Sequence, residues 1–505
     1  MSGSPVAIVL AAGLGTRMRS PLAKVLHPLL GRPMVGWVVR AVQEAGCDAV
    51  VVVNHQAEAV MAALPGCAFA RQEAPLGTGH AVRSALALIP ESGAVVVTAG
   101  DTPLVTAGLF ARLLAAHAAA GNPPCTVASF EVADPTGYGR IVREGGGVRV
   151  VEQGECTPEQ ARLREVNSGA YVFDAAYLRA ALPALVPHPP KGELYLTDLV
   201  GAGAHVCAGF AAHDFMGVND RAALAEARGI LRRRINRAWA LQGVDFADLE
   251  SPSIDAEVVL EPDAHVGPGV VLLGRARVSG RVGPYSLVQD SVVAGEVGPH
   301  CVVNASTIES GAILHAQSVS VGAHLHAGAQ AGPFARLRQD AVLQAGSHVG
   351  NFVEMKNATL GEGAKANHLT YLGDASVGAR ANVGAGTITC NYDGFGKYRT
   401  TIGAGAFIGS NSALVAPVTI GDGAIVGAGS TITGDVPAEA IAVARGKQVN
   451  REGAAPAFRA RARERAAAAK AARAVGLEPG RSGEGVTGGG GPPPVPASTR
   501  SGDAS

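Results

Sequence analysis

The run Leu10-Ala-Ala-Gly-Leu-Gly-Thr-Arg-Met-Arg-Ser-Pro-Leu-Ala-Lys-Val-Leu-His27 carries the densest chemistry in this chain of 505 residues. It follows the apolar stretch Val6 to Leu10 and gathers Gly13, Gly15, Thr16, Arg17 and Lys24 into the turn after that strand. Glycines let backbone N–H groups approach an anion closely, and Arg and Lys neutralise its charge. A strand feeding a glycine-rich basic turn grips phosphate, so a nucleotide is the first ligand to consider. Two common grips are excluded. A dinucleotide fingerprint needs a small residue three positions after Gly15, where Met18 stands, and an ATPase phosphate loop needs Gly-Lys-Ser/Thr, which is missing.

The elements that must position this turn follow from periodicity. Val6–Leu10, Ala49–Val53 and Ala94–Thr98 are β-branched runs suited to buried parallel strands. Between the first two, Met34, Trp37, Val38, Ala41, Val42 and Ala45 keep helical spacing, with Pro33 before and Gly46 after. Thr78 is placed to cap a further helix whose inner face holds Ala81, Val82, Ala85, Leu86 and Ile89. Residues 5–227 therefore read as an α/β domain with a mostly parallel sheet, and ligands of such sheets sit at the carboxyl ends of the strands. Residues 228–250 carry Arg228, Arg232, Arg233, Arg234 and Arg237 and read as a solvated connecting helix.

From about residue 251 to 450 the pattern changes. Aliphatic-Gly pairs recur, among them Val349-Gly350, Leu360-Gly361, Leu372-Gly373, Val377-Gly378, Val383-Gly384, Ile402-Gly403, Ile408-Gly409, Ile420-Gly421 and Val426-Gly427. Many are six or twelve residues apart, the hexapeptide signature of a parallel β-helix, whose coils bury a core only by stacking. Val383 to Ile402 spans 19 residues against an expected eighteen, so residues 389–399 leave the wall as a loop bearing Asn391, Tyr392 and Lys397. Residues 451–505 begin with an Ala/Arg-rich helical stretch, Ala457 to Val475; from Gly480 onward the Gly/Pro/Ser-rich tail is expected to be disordered.

Composition bounds the function class. Hydrophobic residues reach 47%, enough for large cores, and net charge is zero, so nothing global points to nucleic acid or a membrane surface. The seven cysteines, an odd number, form no Cys-x-x-Cys pair, which argues against a disulfide framework or zinc knuckle and fits a reducing compartment. No basic residue precedes the first apolar run, as a secretory signal would require, and no apolar stretch reaches the length of a spanning helix. These features point to a cytoplasmic protein.

Gly-Leu-Gly-Thr-Arg-Met, with a lysine seven residues after the arginine, resembles the sugar-nucleotide pyrophosphorylases. With a hexapeptide β-helix behind it, residues 5 to about 450 resemble one family closely: the bacterial bifunctional N-acetylglucosamine-1-phosphate uridyltransferases and glucosamine-1-phosphate N-acetyltransferases. The resemblance extends through Leu76-Gly-Thr-Gly-His80, Gly100-Asp101, Tyr138-Gly-Arg-Ile141, Asn167-Ser-Gly169 and Gly217-Val-Asn-Asp220. In the second half it includes Gly332 to Arg338, Gly350 to Lys356, His368 to Gly373 and Gly384 to Gly394, four long and specific stretches. The fold implied is a Rossmann-like α/β nucleotidyltransferase domain followed by a left-handed parallel β-helix. The activities implied are acetylation of glucosamine 1-phosphate by acetyl-CoA, then transfer of UMP from UTP to N-acetylglucosamine 1-phosphate with release of pyrophosphate. The product would be UDP-N-acetylglucosamine for cell-wall precursors.

The resemblance also implies roles. Arg17 and Lys24 serve the phosphates; Leu10, Ala11, Ala12, Gly13, Gln72, Gly77, Thr78, Ala99 and Gly100 line the UTP site; Gly139, Glu152 and Asn167 hold the sugar. Asp101 and Asn219 match the metal ligands, and hard oxygen donors beside phosphates suit magnesium. In the second half His368 matches the base that deprotonates the sugar amine, for which a near-neutral pKa is suited. Arg338, Lys356, Tyr371, Asn382 and Lys397 match sugar-phosphate positions, and Ala385, Asn391, Tyr392, Ser410, Ala428 and Arg445 match acetyl-CoA positions. Taken singly, Asp101 reads as a turn residue and His368 as structural; the ordered set reverses both readings. A homotrimer, with acetyl sites completed by adjacent subunits, is implied as well. Ala99, Ala23 and Pro75 depart from the family's usual tyrosine, proline and polar residue, and none removes a charge that the chemistry needs. Two other readings are a uridylyltransferase with a decayed β-helix and a non-catalytic sugar-nucleotide sensor. His368, Arg338, Lys356 and the intact 389–399 loop weigh against the first, and Asp101 and Lys24 against the second.

Overall fold

Strand β1 (Val6–Leu10) runs down the middle of a nine-stranded sheet because its neighbours on both sides are equally apolar. The computed structural model describes residues 4–145, 147–190 and 192–474. The expectation for the tail from Gly480 lies outside them. Labelled in chain order, the main elements are helix α1 (Met34–Glu44), strands β2 (Asp48–Val53) and β3 (Ala68–Arg71), helix α2 (Thr78–Ser84), and strand β4 (Ala94–Ala99). Strands β5 (Cys125–Glu131), β6 (Arg140–Glu144), β7 (Gly147–Val151), β8 (Glu165–Asp174) and β9 (His205–Cys207) follow. Sheet order is β9-β5-β8-β4-β1-β2-β3, with β6 on β8 and β7 on β6. The half from β4 to β3 is wholly parallel, but β8 runs antiparallel between β4 and β5, so the sheet is mixed and not uniformly parallel. Ile8, Val9, Val51, Val52, Val96 and Val97 are fully buried, which is why these strands read as unbroken apolar runs.

Two expectations about helices need correction. Thr78 does not cap α2; it is the first helical residue, and its hydroxyl accepts from the backbone N–H of Leu196 at 3.1 Å. The basic helix α3 (Arg221–Leu241) starts before residue 228, where Asp220 caps it by accepting from the Ala223 N–H. Nor is it solvated all round. Leu224, Ala227 and Leu231 are buried against Met18, Leu29, Met34, Leu104 and Val218. Fully buried Asn236 donates to the Leu249 and Pro252 carbonyls at 2.9 Å each, and Arg234 donates to the Leu104 carbonyl and Asp214 at 2.6 Å. Met18, whose bulk excludes a dinucleotide fingerprint, is thus the residue that ties the glycine-rich turn to α3.

From Asp245 onward the chain winds into the left-handed parallel β-helix, in which each coil contributes three short strands. One face is a 12-stranded parallel ladder and the other two continue into each other as a 19-stranded array. Valine, leucine, isoleucine and alanine from every coil stack in one continuous core. The module abuts the first through the Ala256 N–H to Leu30 carbonyl bond (3.0 Å) and the Arg32–Glu257 ion pair.

The looped-out segment is larger than the 19-residue spacing implies. Val383 and Ile402 lie on different faces. The true partners are Val377 with Ile402 and Val383 with Ile408, 25 residues apart, where neighbouring coils advance by 17 (Leu360 to Val377) or 18 (Ile402 to Ile420). The excess forms a finger in which Tyr392 pairs with Lys397 and Asp393 Oδ1 accepts from the Phe395 and Gly396 N–H groups. Residues from Arg445 form a separate unit containing the helix Ala454–Ala474. No helix among the described residues is long and apolar enough to cross a membrane.

Candidate functional site

Leu10 and Ala99 end two adjacent parallel strands and are register partners, so the chain leaves β1 and β4 side by side. The Gly100 N–H donates to the Leu10 carbonyl at 2.8 Å, and a Cβ on Gly100 would lie 2.9 Å from that oxygen. The glycine before Asp101 is therefore a packing requirement. Beyond these strand ends opens a cleft of about 320 Å³ lined by Leu10, Ala12, Gly13, Lys24, Gln72, Gly77, Thr78, Ala99 and Asp101, all expected from the sequence. Ala11 and Gly100 adjoin them in the chain. Val25 and Glu193 also line it without an expected role, as do Pro75, noted only as a departure from the family pattern, and Ala81, expected only on a helix's inner face.

Lys24 is the centre of this cleft. Its Nζ pairs with Asp101 Oδ2 and lies 3.2 Å from Asn219 Oδ1. Asn219 comes from 118 residues beyond Asp101 and is held there because the Val218 N–H donates to the Asp101 carbonyl at 2.8 Å. Two hard oxygens from separate segments thus converge on one positive charge, a donor set that suits a divalent cation beside phosphates. Arg17 sits exposed in the turn Thr16–Met18, two residues after Gly15, whose Cα faces Lys24 so closely that a Cβ would meet the lysine's own.

At the other end of the cleft, Gln72 is 4% exposed and donates to the Gly77 carbonyl and to His80 Nδ1, both at 3.1 Å. With both amide hydrogens used internally, its carbonyl oxygen is what remains to offer a ligand. Gly77 has φ +92°, and a Cβ there would lie 2.6 Å from the Leu194 carbonyl oxygen. Leu196 and Thr197 connect this end to the expected sugar residues: Thr197 donates to Glu152 Oε1 at 3.1 Å. Glu152 lies beside Gly139, whose carbonyl accepts from the Asn167 N–H at 2.8 Å. Burial pushes the Glu152 carboxyl up, with Glu155 and Asp198 adding to the shift against the Thr197 hydrogen bond. Asn167 in turn donates to the Tyr171 hydroxyl at 2.7 Å.

The second candidate site lies along one face of the β-helix. At one corner the register stacks Asn351 under His368, and Ala385, Ser410 and Ala428 follow at equivalent positions, each two residues after Val383, Ile408 and Val426. His368 is exposed, and its Nδ1 lies 2.8 Å from Asn351 Oδ1. An amide oxygen only accepts, so Nδ1 carries the proton and Nε2 keeps the lone pair. Asn351 lacked an assigned role in the sequence; its signal is a spacing of 17 residues, one coil. At the opposite corner Arg338 and Lys356 follow Leu337 and Met355, which are stacked partners. Tyr371 lies on the strand joining the two corners.

Charge converges at that second corner. Arg338 donates to Glu354 Oε1 at 2.9 Å. Lys397, delivered by the finger, sits against Lys356 and holds its ammonium below the usual lysine range, with Arg338 acting in the same sense. Asp374 accepts from Asn357 at 2.6 Å and from Asn391. Its burial opposes ionisation, but those two amides and the ammonium groups of Lys397 and Lys356 outweigh it and lower its pKa. Three cations held this close, with Glu354 and Asp374 beside them, are an arrangement that suits an anionic ligand. Tyr392 folds back within the finger, donating to the Gly394 carbonyl at 2.6 Å. Asn382 sits on the strand that leads into the His368 corner, one coil higher. Arg445 belongs to the separate second unit and is not placed with this group.

Comparison with known proteins is consistent with two transferase modules. A MobA-like NTP transferase domain matches residues 7–164, and a bacterial transferase hexapeptide domain of six repeats matches residues 399–434. The chain is similar to the "Bifunctional protein GlmU" of Trichlorobacter lovleyi, 45% identical over 462 residues that cover 88% of this chain and 97% of that protein. The protein of the same name from Sorangium cellulosum is 45% identical over 479 residues, 91% of this chain and 98% of its own length. That of Thermus thermophilus is 47% identical over 459 residues, 88% and 97% respectively.

Proposed function

This chain belongs to the family of bifunctional GlmU proteins, and on that premise we infer how its two sites divide the work. It is a bifunctional enzyme of UDP-N-acetylglucosamine synthesis: it acetylates glucosamine 1-phosphate with acetyl-CoA, then transfers UMP from UTP to the acetylated sugar phosphate, supplying cell-wall precursors. The observation that carries the reading of the first site is the convergence of Asp101 and Asn219 on Lys24 at the strand ends.

We assign uridylyl transfer to residues 5–227 and acetyl transfer to residues 251–450. In the first, the sugar phosphate attacks the α-phosphorus in line and pyrophosphate leaves. The protein's part is positioning and charge neutralisation. Lys24 and Arg17 offset the growing charge on the leaving group, and the Gln72 carbonyl accepts from the imide N–H of uracil. Glu152, Asn167 and Gly139 take the sugar hydroxyls and acetamide. Asp101 and Asn219 would hold magnesium, which when bound would polarise the phosphate oxygens.

In the second, Arg338, Lys356 and Lys397 bind the sugar phosphate while Tyr371 lies between phosphate and base. His368 Nε2 takes a proton as the amine attacks the thioester carbonyl, and the CoA thiolate departs. Asn351 is the positioning residue that keeps Nε2 available. Ala385, Ser410 and Ala428 are small enough to let a pantetheine arm pass along their corner, with Asn391 and Tyr392 toward the CoA end, and Asn382 beside the sugar. We further infer a homotrimer. Phe334, Phe352 and Leu369, 44%, 55% and 63% exposed on consecutive coils beside His368, form an apolar ladder that a second copy of the chain would cover. A cytoplasmic location fits both substrates.

Purified protein given UTP, magnesium and N-acetylglucosamine 1-phosphate should release pyrophosphate, and given acetyl-CoA and glucosamine 1-phosphate should release free CoA thiol. Absence of either product removes that activity from the assignment. Sedimentation equilibrium should return three chains per particle.

A further inference from the structure

A third group of chemistry-bearing residues lies on the β-helix away from both corners just described. Glu309 follows the strand Thr307–Ile308, and the next coil brings His324 and Leu325 directly above that strand, with His326 immediately after. His324 Nε2 lies 2.6 Å and His326 Nδ1 3.0 Å from the same oxygen, Glu309 Oε1. The three ligand atoms all fall within 4.8 Å of one another, and the imidazole rings are stacked with centroids 4.0 Å apart. The other carboxylate oxygen, Oε2, accepts from the Ala327 N–H at 3.1 Å. That backbone bond orients the carboxylate so that Oε1 points at the two rings, as outer partners orient ligands in metal centres.

The geometry points to a binding site for a borderline first-row divalent cation, zinc or cobalt in preference to magnesium, in which Glu309, His324 and His326 clasp two consecutive coils. Two imidazole nitrogens and one carboxylate oxygen are the donors such ions prefer, whereas magnesium wants oxygen ligands and retained water. The ion would replace the imidazole hydrogens that now face Oε1. All three side chains are about one-third exposed, so water is at hand as a fourth ligand. The ligands sit on rungs of a stacked core, so they are already arranged before the ion arrives. An ion that binds the stacked coils and not the unfolded chain stabilises the β-helix in proportion to its occupancy.

The test uses the full-length protein and cobalt. Titration in excess magnesium, which saturates the oxygen donors of the first site, should yield one equivalent of cobalt per chain with the visible absorption of nitrogen ligation. It should also raise the unfolding temperature. The His324→Ala/His326→Ala variant should lose both effects and Glu309→Gln should weaken them, while pyrophosphate and CoA release in magnesium stay at the level of the unsubstituted protein. Equal cobalt binding and spectra in the unsubstituted and double-variant proteins would overturn the site. So would the absence of a nitrogen-ligated spectrum from the unsubstituted protein, a result that stands even if the double variant fails to fold.

Discussion

At the scale of single residues, each site reduces to a few charges whose neighbours set their state. Asp101→Ala removes one of the two oxygens that converge on Lys24 and should lower uridylyl transfer about 10²–10³-fold, the size of losing one electrostatic stabiliser. Acetyl transfer, measured as CoA thiol release, should be untouched. His368→Ala should do the reverse, costing acetyl transfer about 10²–10⁴-fold, as loss of a positioned base does. Glu152 offers a stability test. Its folded pKa is raised, chiefly by burial, so its contribution to stability is present below the ordinary carboxylate pKa and is lost as pH rises through the folded value. Urea unfolding should therefore find Glu152→Gln more stable than the unsubstituted protein at neutral pH. The advantage should vanish in acid, while KM for N-acetylglucosamine 1-phosphate rises.

At the scale of elements, the finger and the glycine-bearing turns carry function through backbone shape. The finger delivers Lys397 to Lys356 and Asn391 to Asp374, but the wall does not need it, since Val377 stacks under Ile402 across the excursion. Excising residues 392–398 returns the coil to the 18-residue spacing seen between Ile402 and Ile420. Circular dichroism should show the β-helix retained, with KM for glucosamine 1-phosphate raised about tenfold or more through loss of one charge-assisted contact. Gly77 is the opposite case, because its backbone sits at φ +92° with the Leu194 carbonyl against it. Gly77→Ala should weaken UTP binding in a KM measurement by displacing the Leu194 backbone and with it the adjoining cleft residue Glu193, while leaving acetyl transfer intact.

At the scale of the whole molecule, two modules share one chain through α3 and the contacts of Leu30 and Arg32 with the first coils. Asp101 and His368 lie on different modules, and the acetylated sugar phosphate must leave one site to reach the other. A mixture of the Asp101→Ala and His368→Ala proteins should therefore make UDP-N-acetylglucosamine from glucosamine 1-phosphate, acetyl-CoA and UTP, though neither protein does so alone. Failure of the mixture, with each partial activity intact, would mean that the intermediate is passed within one assembly.

What the amino-acid order determined by itself is whatever short-range periodicity can encode. The phosphate-gripping turn, the apolar strands beside it and the hexapeptide wall were all legible, because alternation and glycine spacing report local backbone geometry. The cleft residues Gln72, Gly77, Thr78 and Asp101 were named only because the motifs around them resemble those of a known family; taken singly, Asp101 reads as a turn residue. Long-range pairing was left to the tertiary structure. Only register shows that Val383 stacks under Ile408 and not Ile402, that Asn351 orients His368, and that β8 runs antiparallel. Nor could local pattern show that Thr78 spends its hydroxyl on Leu196, or that α3 buries one face on Met18, since each partner lies more than a hundred residues away in the chain. Such contacts are decided by which apolar surfaces meet when the whole chain closes, a condition that no local window of the sequence contains.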